Sequence, residues 1–305
     1  MPTPPDRVLA DRALADRARD AALRGLYRLG WRTAARVPEP LVRVLVAAAG
    51  RLAVVRPGVH VRRLRANLET ATGGPVTDRL LARAVASYLR TFWEVLALPG
   101  WSAAGTTGRV ETVGEHALRD AYAGPGAVVA LPHSGNWDLA GAWACRTGMP
   151  VTTVAERLGD TEYAAFVAFR ESLGMEVLAH GDPGVISGLA GALRQGRLVC
   201  LVADRDLDGT GVPVSWAGSP VTMPAGPAMV ARRTGAVLLP AVCHYDGPRM
   251  VIRFGSPVPH RPGRAGLVTM TQQVADFFAA RIAERPQDWH LMQPFFAAEP
   301  SRQAG

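Results

Sequence analysis

The sequence predicts an α/β protein: a mostly parallel central sheet flanked by helices, with an N-terminal helical extension. Three observations point there. Apolar residues recur at helical spacing through the first hundred positions. After Trp101, short apolar runs alternate with helical stretches of about ten to fifteen residues, the pattern of βα units. The 305 residues, 48% hydrophobic, are enough to bury a substantial core.

The first fifteen residues alternate Asp and Arg among Pro and Ala, with no apolar segment of the kind a signal peptide carries. From Asp20 to Arg36 the spacing predicts a helix with Leu23, Leu26, Tyr27 and Gly30 on one face and Arg24, Arg28 and Arg32 on another. Such a helix either lies on an anionic lipid surface or packs its apolar face on the domain and solvates its arginines. Pro38 and Pro40 punctuate, and a second helix is expected over Leu41 to Val55, broken by Arg43 and Arg51 and too short to span a bilayer. A third runs from Val76 to Leu98, with Thr77 as N-cap and Leu80, Leu81, Ala84, Tyr88, Phe92 and Val95 in periodic register. Residues 1–100 therefore read as basic amphipathic helices, membrane-facing and packed on a core of residues 101–305.

Within that core the predicted strands are Ala127 to Leu131, Val151 to Val154, Glu176 to Leu178, Leu198 to Val202, Val237 to Val242 and Val251 to Phe254. The predicted helices are Leu139 to Arg146, Glu162 to Leu173, Val185 to Arg194, Ala225 to Thr234 and Val268 to Glu284. No internal repeat or low-complexity linker interrupts them.

Composition narrows the chemistry. The chain has no lysine, so all 34 basic residues are arginine, which excludes a P-loop lysine, a lysine Schiff base and any Ser-Lys or Tyr-Lys pair. A net charge of +8 favours an anionic partner, and arginine suits bidentate phosphate contacts. Nucleic acid is not the expected partner, because the arginines are dispersed and no basic-aromatic motif is present. Cys145, Cys200 and Cys243 are an odd, scattered set that reads as reduced core residues rather than a disulfide framework or a metal site.

Ligands of open α/β sheets gather at the carboxyl ends of the strands. His133 follows the strand "AVVAL" by two residues, and Asp138 falls where the next helix begins, with "SGN" between them as a turn. Asp138 is expected to reach back to one imidazole nitrogen, leaving the other as a base, while Gly135 leaves room for a substrate. The bland alternative is a satisfied histidine at a strand end. The chain contains no G-x-S-x-G elbow, so a base at His133 would serve the hydroxyl of a bound alcohol, which favours acyl transfer from a thioester over hydrolysis.

"HSGNWD" at His133 to Asp138 resembles the H-x4-D motif of glycerolipid-type acyltransferases, and its surroundings resemble the lipid A biosynthesis (lauroyl/myristoyl) acyltransferase family. Further similarity lies in "NLE" at Asn67 to Glu69, "YLRTFWEVLALPGW" ending at Trp101, "FVAFRESLGMEV" at Phe166 to Val177, "RMVIRFGSPV" at Arg249 to Val258 and "ERPQDWHLMQPFF" at Glu284 to Phe296. These are in the family's order and cover nearly the whole chain. The stretch from Ala203 to Ala236 is most similar to the branch that acylates phosphatidylinositol mannosides. The lipid A pattern has glutamate where Asp138 stands, but aspartate agrees with the wider motif.

The resemblance implies a glycerolipid acyltransferase-like fold and a peripheral enzyme on the cytoplasmic face of the plasma membrane. It would move a palmitoyl-type chain from acyl-CoA to the 6-hydroxyl of a mannose on a mannosylated phosphatidylinositol. Its partners would be acyl-CoA, that lipid and the anionic membrane surface, with no cofactor, no metal and no nucleic acid. Carried over, His133 is the general base and Asp138 its orienter, with Glu156, Arg170, Asp204, Arg205 and Asp206 around the substrate. Arg170 would hold a phosphate or the Glu156 carboxylate, and an acid of the "DRD" segment would bind sugar hydroxyls or support the His133 network; the structural alternatives are that Glu156 and Arg170 pair only with each other or with neighbours and that "DRD" is an ion-pair turn. The loop and helix from Thr222 to Arg233 either pass a CoA phosphate or an acyl chain or use their glycines and alanines for tight packing on the sheet, and Trp289, Phe295 and Phe296 are expected to close the core. The alternatives are a related acyltransferase with another glycolipid or lysophospholipid acceptor, and a non-catalytic lipid-surface protein.

Overall fold

The computed structural model describes residues 25, 29–31, 33–157 and 160–296. The helix predicted over 20–36 lies largely outside the described residues, which run unbroken over 33–157 and include a 3-10 turn at Ala34–Arg36. Helix α1 (Glu39–Val55) has Pro40 in its first turn, where a missing N–H costs nothing. It packs on helix α3 (Asp78–Ala97) so closely that a Cβ on Gly50 would collide with the Ala82 carbonyl. Between them α2 (Val59–Thr72), which the sequence reading lacked, buries Leu64, Leu68 and Ala71 and ends on Gly73 in the left-handed region. Thr77 caps α3 as expected, its hydroxyl accepting from the Leu80 N–H at 3.2 Å.

Helix α4 (Ala103–Thr107), strand β1 (Val110–Val113) and helix α5 (Glu115–Ala123) also went unpredicted, being short and only half apolar. The core then follows the predicted order: β2 (Ala127–Leu131), α6 (Trp137–Arg146), β3 (Val151–Ala155), α7 (Asp160–Ser172), β4 (Glu176–Ala179), α8 (Val185–Arg194) and β5 (Leu198–Val202). A hairpin of β6 (Val212–Trp216) and β7 (Ser219–Met223) is added. It turns through Ala217 and Gly218 at positive φ, and alanine there gave no turn signal. Helix α9 (Gly226–Thr234), β8 (Val237–Asp246), β9 (Arg249–Phe254) and α10 (Gly263–Glu284) follow, and a 3-10 turn at Pro286–Asp288 comes after them.

Among the described residues seven strands form one sheet in the order β1-β9-β8-β2-β5-β3-β4, parallel throughout except for the antiparallel β8–β9 pair. Central β2 is buried at every position: Val128 and Ala130 face one apolar cluster, and Ala127, Val129 and Leu131 face the other. Among the described residues no single helix is long and apolar enough to cross a membrane, and α1 and α2 meet at 91°.

Candidate active site

Strands β2 and β5 are parallel neighbours with Leu131 opposite Val202. The ladder runs on past both ends, since Ala203 N–H donates to the Leu131 carbonyl at 2.7 Å. Two residues beyond, the same register brings His133 level with Asp204. The Nδ1 of His133 lies 2.5 Å from Asp204 Oδ1, while Asp204 Oδ2 accepts from the His133 backbone N–H at 2.9 Å and from the Trp289 indole N–H at 3.0 Å. Asp204 is wholly buried. Burial opposes its ionisation, but the His133 charge and these hydrogen bonds outweigh that and hold its carboxyl below the ordinary value. The His133 ring keeps a quarter of its surface exposed and meets Trp137 edge-on at 5.4 Å. With Nδ1 engaged, Nε2 is the nitrogen left for a substrate.

The partner expected for His133 was Asp138, and the structure corrects this. Asn136 caps α6, its side-chain oxygen accepting from Leu139 N–H at 2.9 Å, so Asp138 falls inside the first helical turn. There it accepts from Arg170 Nε at 2.6 Å and Nη2 at 3.4 Å. Burial of Arg170 opposes its charge, but Asp138 holds its pKa above the ordinary value. Arg170 therefore holds Asp138, not a Glu156 carboxylate; Glu156 faces Arg205 at 3.6 Å. Of the two roles read for the "DRD" acids, Asp204 has support of the histidine. Asp206 closes a turn by accepting from Gly211 N–H at 2.9 Å.

Gly135 is needed for a reason other than substrate access. Its φ is +55°, and a Cβ there would sit 2.8 Å from the Cys243 backbone on β8. Cys243 is no nucleophile despite preceding His244, because burial pushes its thiol up to about 12.

Residues that sequence reasoning missed hold this loop from behind. Ser87, Thr91 and Glu94 lie on the buried face of α3, polar where apolar side chains are the rule. Thr91 donates to the Gly135 carbonyl at 3.0 Å, and Glu94 Oε2 accepts from Asn136 at 3.0 Å and from the Tyr245 hydroxyl at 2.7 Å. Arg90 neutralises Glu94 at 2.8 Å and lies over the Tyr245 ring. Ser87 donates to Asp288 Oδ1 at 2.6 Å and contacts His290 Nε2 at 3.0 Å. The spacing 87, 91, 94 on a helix with a buried stripe was the available signal.

In front of His133 lies a cavity of about 290 Å³, also lined by Asp138, Glu156, Arg170 and Arg205 and by the apolar or aromatic Tyr88, Phe92, Trp137, Val154, Tyr163, Phe166 and Leu207. A smaller space of about 40 Å³ shares Trp137, Val154, Arg170 and Val202 with it, and a third of about 30 Å³ shares Leu131, Trp137, Gly141 and Cys200 with the second. Along the 222–233 stretch Pro227, Ala228, Val230 and Ala231 are buried in close packing, and the space beside Met223, Pro224 and Ala228 is about 10 Å³, room for a water. Trp289 does more than close the core, since its indole N–H joins the His133–Asp204 pair. Among the described residues no group of three or more His, Cys, Asp or Glu is arranged to hold a metal ion.

The family model for bacterial lipid A biosynthesis acyltransferases matches residues 16–297. A phosphatidylinositol mannoside acyltransferase of Mycolicibacterium smegmatis is 40% identical over 283 residues, 90% of this chain and 91% of that protein. Another, from Mycobacterium tuberculosis, is 39% identical over 284 residues, 90% of this chain and 89% of its own length.

Proposed function

The chain belongs to the bacterial lipid A biosynthesis acyltransferase family and is an acyltransferase, and from that premise we propose that it transfers a palmitoyl-type chain from acyl-CoA to the 6-hydroxyl of a mannose on a phosphatidylinositol mannoside. The observation that carries this reading is the buried Asp204 held against Nδ1 of a partly exposed His133, at the carboxyl ends of adjacent parallel strands and at the wall of a largely apolar cavity.

In this reading Nε2 of His133 takes the proton of the mannose hydroxyl as its oxygen attacks the thioester carbonyl. The tetrahedral adduct collapses, the carbon–sulfur bond breaks, and the imidazolium returns its proton to the departing CoA sulfur. Asp204 fixes the tautomer and stabilises the imidazolium, without itself taking up the proton. Asp138 and Arg170 brace the cavity wall, and Glu156 and Arg205 offer one acceptor and one donor group to the sugar and phosphate of the acceptor lipid. The acyl chain lies in the cavity in front of His133, with its end toward the smaller space behind Trp137.

Membrane association is supported by the outer side of α1, where Leu45, Leu52 and Val55 are exposed by 56%, 73% and 75% beside Arg51 and Arg56. An exposed apolar strip among arginines suits an anionic lipid surface. A peripheral enzyme on the cytoplasmic face would meet both its lipid acceptor and acyl-CoA there. Incubating the purified protein with labelled palmitoyl-CoA and mono- or dimannosylated phosphatidylinositol tests the reading. Wild type should give acylated lipid and His133→Ala should not. Undiminished product in the variant sinks the mechanism, and acylation of another lipid alone replaces the acceptor.

A further inference from the structure

Asp204 Oδ2 receives two donors, and one of them comes from a distant part of the chain. Trp289 is fully buried; its ring stacks on Trp216 with centroids 5.5 Å apart and planes at 15°, and Phe295 meets it edge-on at 5.4 Å. A ring packed on two sides has one orientation, and in it the indole N–H lies 3.0 Å from Asp204 Oδ2. The neighbouring Trp216 N–H, in the same aromatic cluster, is buried and has no hydrogen-bond partner among the described residues, so the packing does not itself require an acceptor.

The backbone around Trp289 is tied to the loop that carries His133. Trp289 and Ser134 form an antiparallel bridge, Gly135 N–H donates to the Asp288 carbonyl at 2.8 Å, and His290 N–H donates to the His133 carbonyl at 2.8 Å. One short segment therefore grips both the main chain of the histidine and the carboxylate beside its ring. With Oδ2 occupied by two N–H groups, only Oδ1 faces the imidazole.

We propose that Trp289 is a positioning residue for acyl transfer: its indole N–H locks the Asp204 carboxylate so that His133 is held as the Nδ1–H tautomer with Nε2 free to take the acceptor's proton. This rests on the reading of His133 as the general base. Other charged or titratable groups around the pair are His290 and Asp288 on the Trp289 segment and, at the cavity, Tyr88, Tyr163 and the Asp138–Arg170 and Glu156–Arg205 pairs, none of which the test substitutes.

Trp289→Phe keeps an aromatic ring against Trp216 and removes the N–H. The expected result is a cooperatively melting protein whose kcat falls on the order of 10-fold with KM for palmitoyl-CoA unchanged. The acid limb of its kcat/KM profile moves to higher pH, because a carboxylate with one donor fewer holds the His133 proton more strongly. Phe295→Leu, which loosens the packing and spares the N–H, should lower the melting temperature and leave that limb in place. A Trp289→Phe enzyme with an unmoved acid limb overturns the inference, whatever its rate. If Asp204→Asn and His133→Ala are inactive in that same experiment, the reading of the base survives and only the role of Trp289 falls. If His133→Ala keeps full activity, both fall.

Discussion

His133 and Asp204 stand 71 residues apart in the chain, yet Nδ1 of one lies 2.5 Å from Oδ1 of the other, because β2 and β5 run parallel with Leu131 opposite Val202. The contact lies one step past the end of the ladder and inherits its rigidity. The geometry proposed for catalysis is thus an extension of sheet register rather than a property of the six-residue motif.

Asp204→Asn should therefore be the most damaging single-atom change. An amide in its place keeps the shape but cannot favour the Nδ1–H tautomer and an adjacent imidazolium. Transfer activity is expected to fall roughly 10³- to 10⁴-fold with the fold retained, checked by initial rates and circular dichroism.

Asp138 answers to a different rule. Its carboxylate and the Arg170 guanidinium are both largely buried, so Asp138→Ala leaves an unpaired charge and should cost about 3–5 kcal/mol. Replacing both, as Asp138→Leu with Arg170→Met, should recover most of that stability. Urea unfolding of the two single variants and the double variant checks it; additive losses would contradict the pairing.

Acid sensitivity should centre on His290. Burial, with the nearby His133 charge, drives its pKa down to about 3, far below its ordinary value near 6.5. A depressed folded value means that the unfolded chain binds the proton first. The contribution is complete above about pH 6.5 and is lost as pH falls toward 3. Asp204 adds a loss at lower pH, its folded value lying below the ordinary carboxylate range, whereas Asp288, pushed up by burial, acts in the opposite sense. Urea midpoints between pH 7 and 4.5 should fall for wild type and fall less for His290→Gln.

Gly141 faces Met175, whose sulfur would lie 2.8 Å from an added Cβ, at the wall between the two smaller cavities. Gly141→Ala pushes that flexible side chain into the space proposed for the acyl end. A shift of preference from palmitoyl-CoA toward shorter donors is expected, read from competing acyl-CoA substrates; an unchanged chain-length profile would place the acyl group elsewhere.

Leu45 and Leu52 are exposed, so converting both to Glu should leave stability within about ±0.5 kcal/mol per site. Co-sedimentation with anionic phosphatidylinositol vesicles should fall severalfold, since the change removes apolar contact and adds repulsion.

The local grammar of the chain was readable. Strands β2 and β5 have the boundaries that their apolar runs announce, α8 spans the predicted Val185–Arg194, and Thr77 caps α3, because period, caps and turns are encoded within a few residues. The elements that escaped notice were weakly patterned: α2 with its arginines, the four residues of β1, and a hairpin turned by Ala217.

Sequence alone set His133 at the end of a buried strand and marked Asp138 and Asp204 as acids at strand or helix ends. Which of them meets the imidazole was decided by strand order. Asp138 is nearer by chain distance, but Asn136 takes the cap and turns it toward Arg170; β5 lies beside β2 and delivers Asp204 in register. The braces Ser87, Thr91 and Glu94 went unread in the sequence, and Trp289 read only as a core residue, until packing brought α3 and the 286–290 segment against one loop. Hydrogen-bond partners across a fold depend on register between distant segments, and no local pattern carries that information.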